Sequence, residues 1–90
     1  MREFEIKPPL HKILKKLLKK NKTTYEAVMG KIFEVVDSPN IEHYKNLRYD
    51  MKDKKRVHLA GSYVLVFSYD KSRDFVSFLD YEHHDKIYKR

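Results

Sequence analysis

The run KKRVHLAGSYVLVFSYDKSRDFVSFLDY (Lys54–Tyr81) decides how this chain folds. Three segments in it, Lys54–Leu59, Tyr63–Tyr69 and Phe75–Tyr81, alternate or are rich in β-branched and aromatic residues. They are separated by Ala60-Gly61-Ser62 and by Asp70–Asp74. Such residues suit the pleated, half-buried surface of a sheet, and short polar or glycine-bearing breaks mark tight turns. Two consecutive hairpins are predicted. Successive strand side chains point to opposite faces, so Val57 and Leu59 share one face while Arg56 and His58 share the other. One face is expected to be core and the other polar.

Upstream the period changes. Leu10, Ile13, Leu14, Leu17 and Leu18 recur three and four apart, with Lys12, Lys15, Lys16, Lys19 and Lys20 between them, which predicts an amphipathic helix. Pro8 and Pro9 suit its first turn, and Phe4-Glu5-Ile6 alternates like a strand leading into it. Asn21-Lys22 breaks the pattern, and Thr23 with Glu26 reads as a capping box for a second helix. That helix has an apolar stripe of Tyr25, Val28, Met29, Ile32, Phe33 and Val36 and stops at Asp37-Ser38-Pro39-Asn40. Gly30 inside it predicts close packing against the first helix or the sheet. Ile41 to Val57 is mixed, basic and weakly periodic, as expected of a loop leading into a strand. The expected fold is α+β: a strand, a two-helix hairpin, then a three-stranded antiparallel meander, forming one sheet with helices on one face.

Composition narrows the function. Ninety residues make one domain, residues 1–90, with a modest core and no room for separate catalytic and binding domains. Twenty Lys and Arg against 13 Asp and Glu give a net charge of +7, which favours phosphate backbones or acidic protein segments as partners. The absence of cysteine excludes a disulfide frame and thiolate zinc sites. No apolar run is long enough to span a membrane, and the first ten residues lack the layout of a signal peptide, so a soluble cytoplasmic protein without membrane contact is expected.

Arg56-Val57-His58 before the first hairpin turn, the aromatic-aliphatic run Tyr63 to Phe67, and His84 followed four residues later by Tyr88 resemble the RelE family of toxins, in the branch that uses histidines. The resemblance covers nearly the whole chain. It implies a ribosome-dependent endoribonuclease (mRNA interferase) of a toxin-antitoxin system, held in a hetero-oligomer by a RelB-like antitoxin whose acidic, apolar segment covers it. Catalysis would fall to His58, His84, Arg56 and Tyr88, with no metal or other cofactor. Apart from the resemblance, Lys54 and Lys55 adjoin Arg56 and can supply charge to the same RNA phosphate, and Arg48 and His83 are further candidate RNA contacts.

The chemistry is independently reasonable. Cleaving RNA through its own 2′-hydroxyl needs a proton removed, a phosphorane neutralised and a proton returned to the leaving 5′-oxygen. Histidine serves both transfers because its two forms coexist near neutrality. The pattern also departs from the family. Val64 stands where one branch has an arginine, and Ser62 where the histidine-using branch has an aspartate, so a further cation or carboxylate must come from elsewhere, with Arg48, Asp85 and His83 as candidates. His43 lies near the place of a further histidine in that branch, but a loop histidine is the simpler reading.

Plainer readings stand beside these. His58 on a polar face can be solvated, the lysines of the first helix can be a wet surface, and tyrosines in half-buried strands are ordinary. His83-His84-Asp85 suggests a metal site, yet neighbours on a strand point to opposite faces, which argues against convergence. Two other functional classes remain open: a ParE-like gyrase-inhibiting toxin without nuclease activity, which would lack convergent His and Arg, and a non-catalytic RNA-binding module.

Overall fold

A computed structural model describes residues 2–47, 53–59 and 61–89, with the backbone alone at 88 and 89. In chain order the elements are β1 (Glu3–Ile6), α1 (Pro8–Lys20), α2 (Lys22–Asp37), a 3-10 turn (Ile41–His43), β2 (Lys55–His58), β3 (Tyr63–Asp70), β4 (Phe75–His83) and α3 (His84–Lys89). The sheet order is β1-β4-β3-β2. The predicted meander is antiparallel throughout, and β1 lies parallel to β4 at its far edge. Parallel neighbours need a long connection, and here α1 and α2 carry the chain from β1 to β2 at the opposite edge, from which β3 and β4 return to β1. Among the described residues no helix is long and apolar enough to cross a membrane.

The main core lies between the helical hairpin and one face of the sheet. Leu10 and Leu14 of α1 and Val28, Ile32, Val35 and Val36 of α2 pack on Leu65, Phe67, Val76 and Phe78. Phe67 and Phe78 are fully buried with ring centroids 5.9 Å apart. The buried stripe of α2 differs from the predicted one: Val35 is buried, whereas Phe33 is exposed and meets Phe4 edge-on, with ring centroids 6.2 Å apart. Helix α2 is capped by Asn21, whose Oδ1 accepts from the Thr24 N–H at 3.2 Å. Asn21 is as good a cap as Thr23, and being two residues earlier it starts the helix first. Gly30 is exposed, and a Cβ built there meets nothing within 4 Å, so no close approach explains it.

The other face differs from expectation. The last strand ends at His83, and the chain turns into α3, so His84 and Asp85 are helical and not the strand neighbours expected. Its Ile87 folds back over Val64 and Val66, where it joins Leu47 in a second, smaller buried cluster with Leu79 at its margin. Helices therefore cover both faces, two on one side and a single short one on the other. Val66 pairs with Asp80 and Phe67 with Phe78, so Leu79 is the extra residue of a bulge in β4. A bulge changes the face on which later side chains emerge. This one puts Leu79 on the second cluster and still returns Tyr81 to the main core.

Candidate active site

The site is built on the face that carries the smaller cluster. In β2, Val57 pairs with Leu65 of the main core, whereas Arg56 pairs with Val66 and His58 with Val64, both of the second cluster. The predicted alternation therefore holds, and Arg56 and His58 share the less covered face. The turn after β2 is set by Gly61 at φ 76°, a left-handed conformation that glycine adopts without a side-chain clash. Across this turn, the backbone N–H of His84 donates to Ser62 O at 2.8 Å, which fixes the start of α3 beside the first hairpin.

Arg56 donates through Nη1 to His58 Nε2 at 2.5 Å. A guanidinium has only donors, so Nε2 must present its lone pair and His58 is neutral in this arrangement. His58 has its pKa lowered, first by partial desolvation against the sheet and then by the positive charges of Arg56, His84 and Lys45. Arg56 Nε is buried and has no hydrogen-bond partner among the described residues. A buried donor left unsatisfied costs about 1–3 kcal/mol, so Arg56 Nε is placed to be met by water or by a bound group.

His84 lies close enough for its charge to act on His58. Its Nε2 is 3.3 Å from Asp85 Oδ1, while His83 Nδ1 accepts from the Asp85 backbone N–H at 3.2 Å. The adjacent histidines do not diverge: their ring centroids are 5.4 Å apart, and potential ligand atoms of His83, His84 and Asp85 all fall within 4.8 Å of one another. The alternation argument fails because His83 is the last residue of β4 and His84 the first of α3. Three such groups fall short of the four-coordinate shell of a structural zinc site.

The remaining candidates separate. Lys55 pairs with Phe67 of the main core, and its Nζ donates to Tyr44 O at 3.2 Å and Asn46 Oδ1 at 3.0 Å. It faces away from Arg56 and holds the preceding loop, which corrects its assignment to RNA contact. Lys54 Nζ lies 3.7 Å from Asp53 Oδ1, an exposed pair that leaves it on the rim. Tyr88 falls within α3, where only its backbone is described, and Arg48 lies outside the described residues. His43 is tied by Nδ1 to Asn40 O and lies against Tyr44, with ring centroids 4.1 Å apart, as a structural loop histidine would be. Sequence reasoning passed over Lys45. The segment was expected to be loop, yet it pairs with β2 through the Asn46↔Lys55 bridge and puts Lys45 next to Arg56.

No family model matches the chain. It is 48% identical over 90 residues, all of this chain and 94% of the relative, to a Methanocaldococcus jannaschii protein assigned as toxin RelE4. The isolated Escherichia coli RelE toxin superposes with a TM-score of 0.71 at 25% identity, covering 100% of this chain and 98% of that one. The toxin in the intact E. coli RelBE toxin-antitoxin complex gives 0.69 at 26% identity, covering 90% and 94%. Identity of this degree along the whole length, joined to the same fold, shows that this chain belongs to the RelE toxin family.

Proposed function

We propose that the protein is a ribosome-dependent endoribonuclease that cleaves mRNA in the cytoplasm and is inhibited by an acidic, RelB-like antitoxin bound to it in a hetero-oligomer. The observation that carries this reading is the Arg56–His58 pair, in which the arginine keeps the imidazole neutral with its lone pair directed at the cation. In the reaction, His58 Nε2 takes the proton of the ribose 2′-hydroxyl as the oxygen attacks the adjacent phosphorus. The Arg56 guanidinium moves from the ring nitrogen to the phosphoryl oxygens, where charge builds up. His84, beside Asp85, returns a proton to the departing 5′-oxygen. The products are a 2′,3′-cyclic phosphate and a 5′-hydroxyl, so protons and bonds balance.

The partner follows from chemistry. A +7 surface with exposed Leu18 and Phe33 suits a segment that is both acidic and apolar. The E. coli relative found in complex with its antitoxin supports the same reading. The gyrase alternative is less favoured, since Arg56 and His58 converge and His84 lies within electrostatic reach of them.

The test is cleavage of a defined mRNA on translating ribosomes, with the ends of the fragments mapped and their chemistry determined. The parent should cut and leave cyclic phosphate ends, and His58→Ala or His84→Ala should each lower the rate about 10²–10⁴-fold, the usual contribution of a general acid or base. No cleavage by the parent, together with inhibition of gyrase, would overturn the proposal.

A further inference from the structure

One arginine is a thin supply of charge for a phosphorane, and Arg56 already has one of its donors committed to His58. The other positions on the same face next to His58 are apolar, since Val64 pairs with it directly and Val66 pairs with Arg56. Among the described residues, a second cation is offered from the outer edge of β2. The chain before β2 provides it. Leu47 N–H donates to Lys54 O at 2.8 Å and Arg56 N–H donates to Lys45 O at 2.9 Å, on either side of the Asn46↔Lys55 bridge. This short antiparallel ladder sets Lys45 opposite Arg56 and Leu47 opposite Lys54.

The ladder also fixes which way the side chains point. Asn46 shares a face with Lys55, as their side-chain hydrogen bond requires. Leu47 is on the other face, buried with Val64, Val66 and Ile87. Lys45, two residues from Leu47, alternates to that same face, beside Arg56 and diagonal to His58. Buried Ile41 and Leu47 pin the segment at both ends, so the backbone of Lys45 is held in place while its side chain is exposed. Among the described residues the Lys45 ammonium makes no ion pair and no side-chain hydrogen bond, whereas Lys54 and Lys55 are both engaged. Its charge is felt at His58.

We propose that Lys45 is the second phosphate-binding cation of the site, closing the scissile phosphate between itself and Arg56 above His58. This rests on the nuclease reading of the same face, and it adds a residue to it. A lysine suits the position, because a compact ammonium on a flexible stem can follow the phosphate as its geometry changes, while the planar arginine gives fixed direction.

The experiment compares the parent with Lys45→Ala and Lys45→Arg in two assays. One is single-turnover cleavage of mRNA on translating ribosomes; the other is binding of a 2′-O-methyl RNA oligonucleotide, which cannot be cut, to the free protein over a range of salt. Lys45→Ala should slow cleavage about 10–100-fold, the equivalent of about 1.4–2.7 kcal/mol, and Lys45→Arg should restore most of it. The salt slope of oligonucleotide binding should fall by about 0.7, the loss of one contact to a single strand. Cleavage within twofold of the parent, with an unchanged slope, would overturn the proposal. If the parent did not cleave, the nuclease reading would fall alone: a reduced slope would still support Lys45 as a phosphate contact, and an unchanged slope would remove that too.

Discussion

The two faces of the sheet are made from alternate residues of the same strands, yet they are covered very differently. On one, Leu65 and Phe67 meet two long helices in a continuous core. On the other, Val64 and Val66 meet Ile87, Leu47 and Leu79, and the same face carries Arg56, His58, Asp80, Lys45 and the start of α3. The first face can supply stability because nearly all its members are fully buried. The second is small enough to leave polar groups at the surface, yet its cluster holds both the loop that carries Lys45 and the helix that begins at His84. The main core and the candidate site are thus separated by a single step along β3.

This contrast can be broken by mutation. Phe67→Ala should cost about 3–5 kcal/mol in denaturant unfolding, as expected for a buried phenylalanine, with activity lost only in proportion to the unfolded fraction. Ile87→Ala should cost about 2 kcal/mol, toward the lower limit for such truncations because its cluster is small, but it should reduce activity beyond the loss of folded protein by freeing α3 and His84. An equal cost for both, with equal effects on specific activity, would erase the distinction between the faces.

The pH dependence sharpens it. His58 has a lowered pKa, so its neutral, base-competent form persists below about pH 6.5, the ordinary histidine value. The acid limb of cleavage should therefore lie below pH 6.5. Stability should show the same sign, falling as pH drops from about 6.5 through the lowered value, because the unfolded chain binds the proton more readily. Removing a neighbouring charge by Arg56→Ala should move the His58 titration, followed by its ring proton resonance, upward. A downward move would contradict the placement of the two side chains.

The smallest expected effect lies on the helix-covered side. Gly30→Ala should stabilise by about 0.5–1 kcal/mol, since the position is exposed, helical and open to a methyl group. A loss of stability there would revive the close packing expected from sequence.

What sequence made legible follows from periodicity. The alternation of Arg56-Val57-His58 and the three-four spacing of α1 are local patterns, and the elements they predict are present. The short α3 has too few residues for a helical period, so nothing in the sequence set His84 and Asp85 apart from the strand before them. Lys45 escaped notice for a different reason. Its place is set by pairing with β2 across a weakly periodic segment, and nothing local announces a ladder of so few bonds. Lys55 was assigned to the site because it adjoins Arg56, although adjacency in a strand means opposite faces.

We propose that the Arg56–His58 face carries the activity and the Lys55 face does not. It is tested most directly by measuring single-turnover mRNA cleavage on translating ribosomes for His58→Ala and Lys55→Ala side by side, with folding of each checked by denaturant midpoint. A loss of about 10²–10⁴-fold is expected for the first and a change within a few-fold for the second at equal folded concentration. Wild-type cleavage by His58→Ala, or a greater loss from Lys55→Ala, would contradict it.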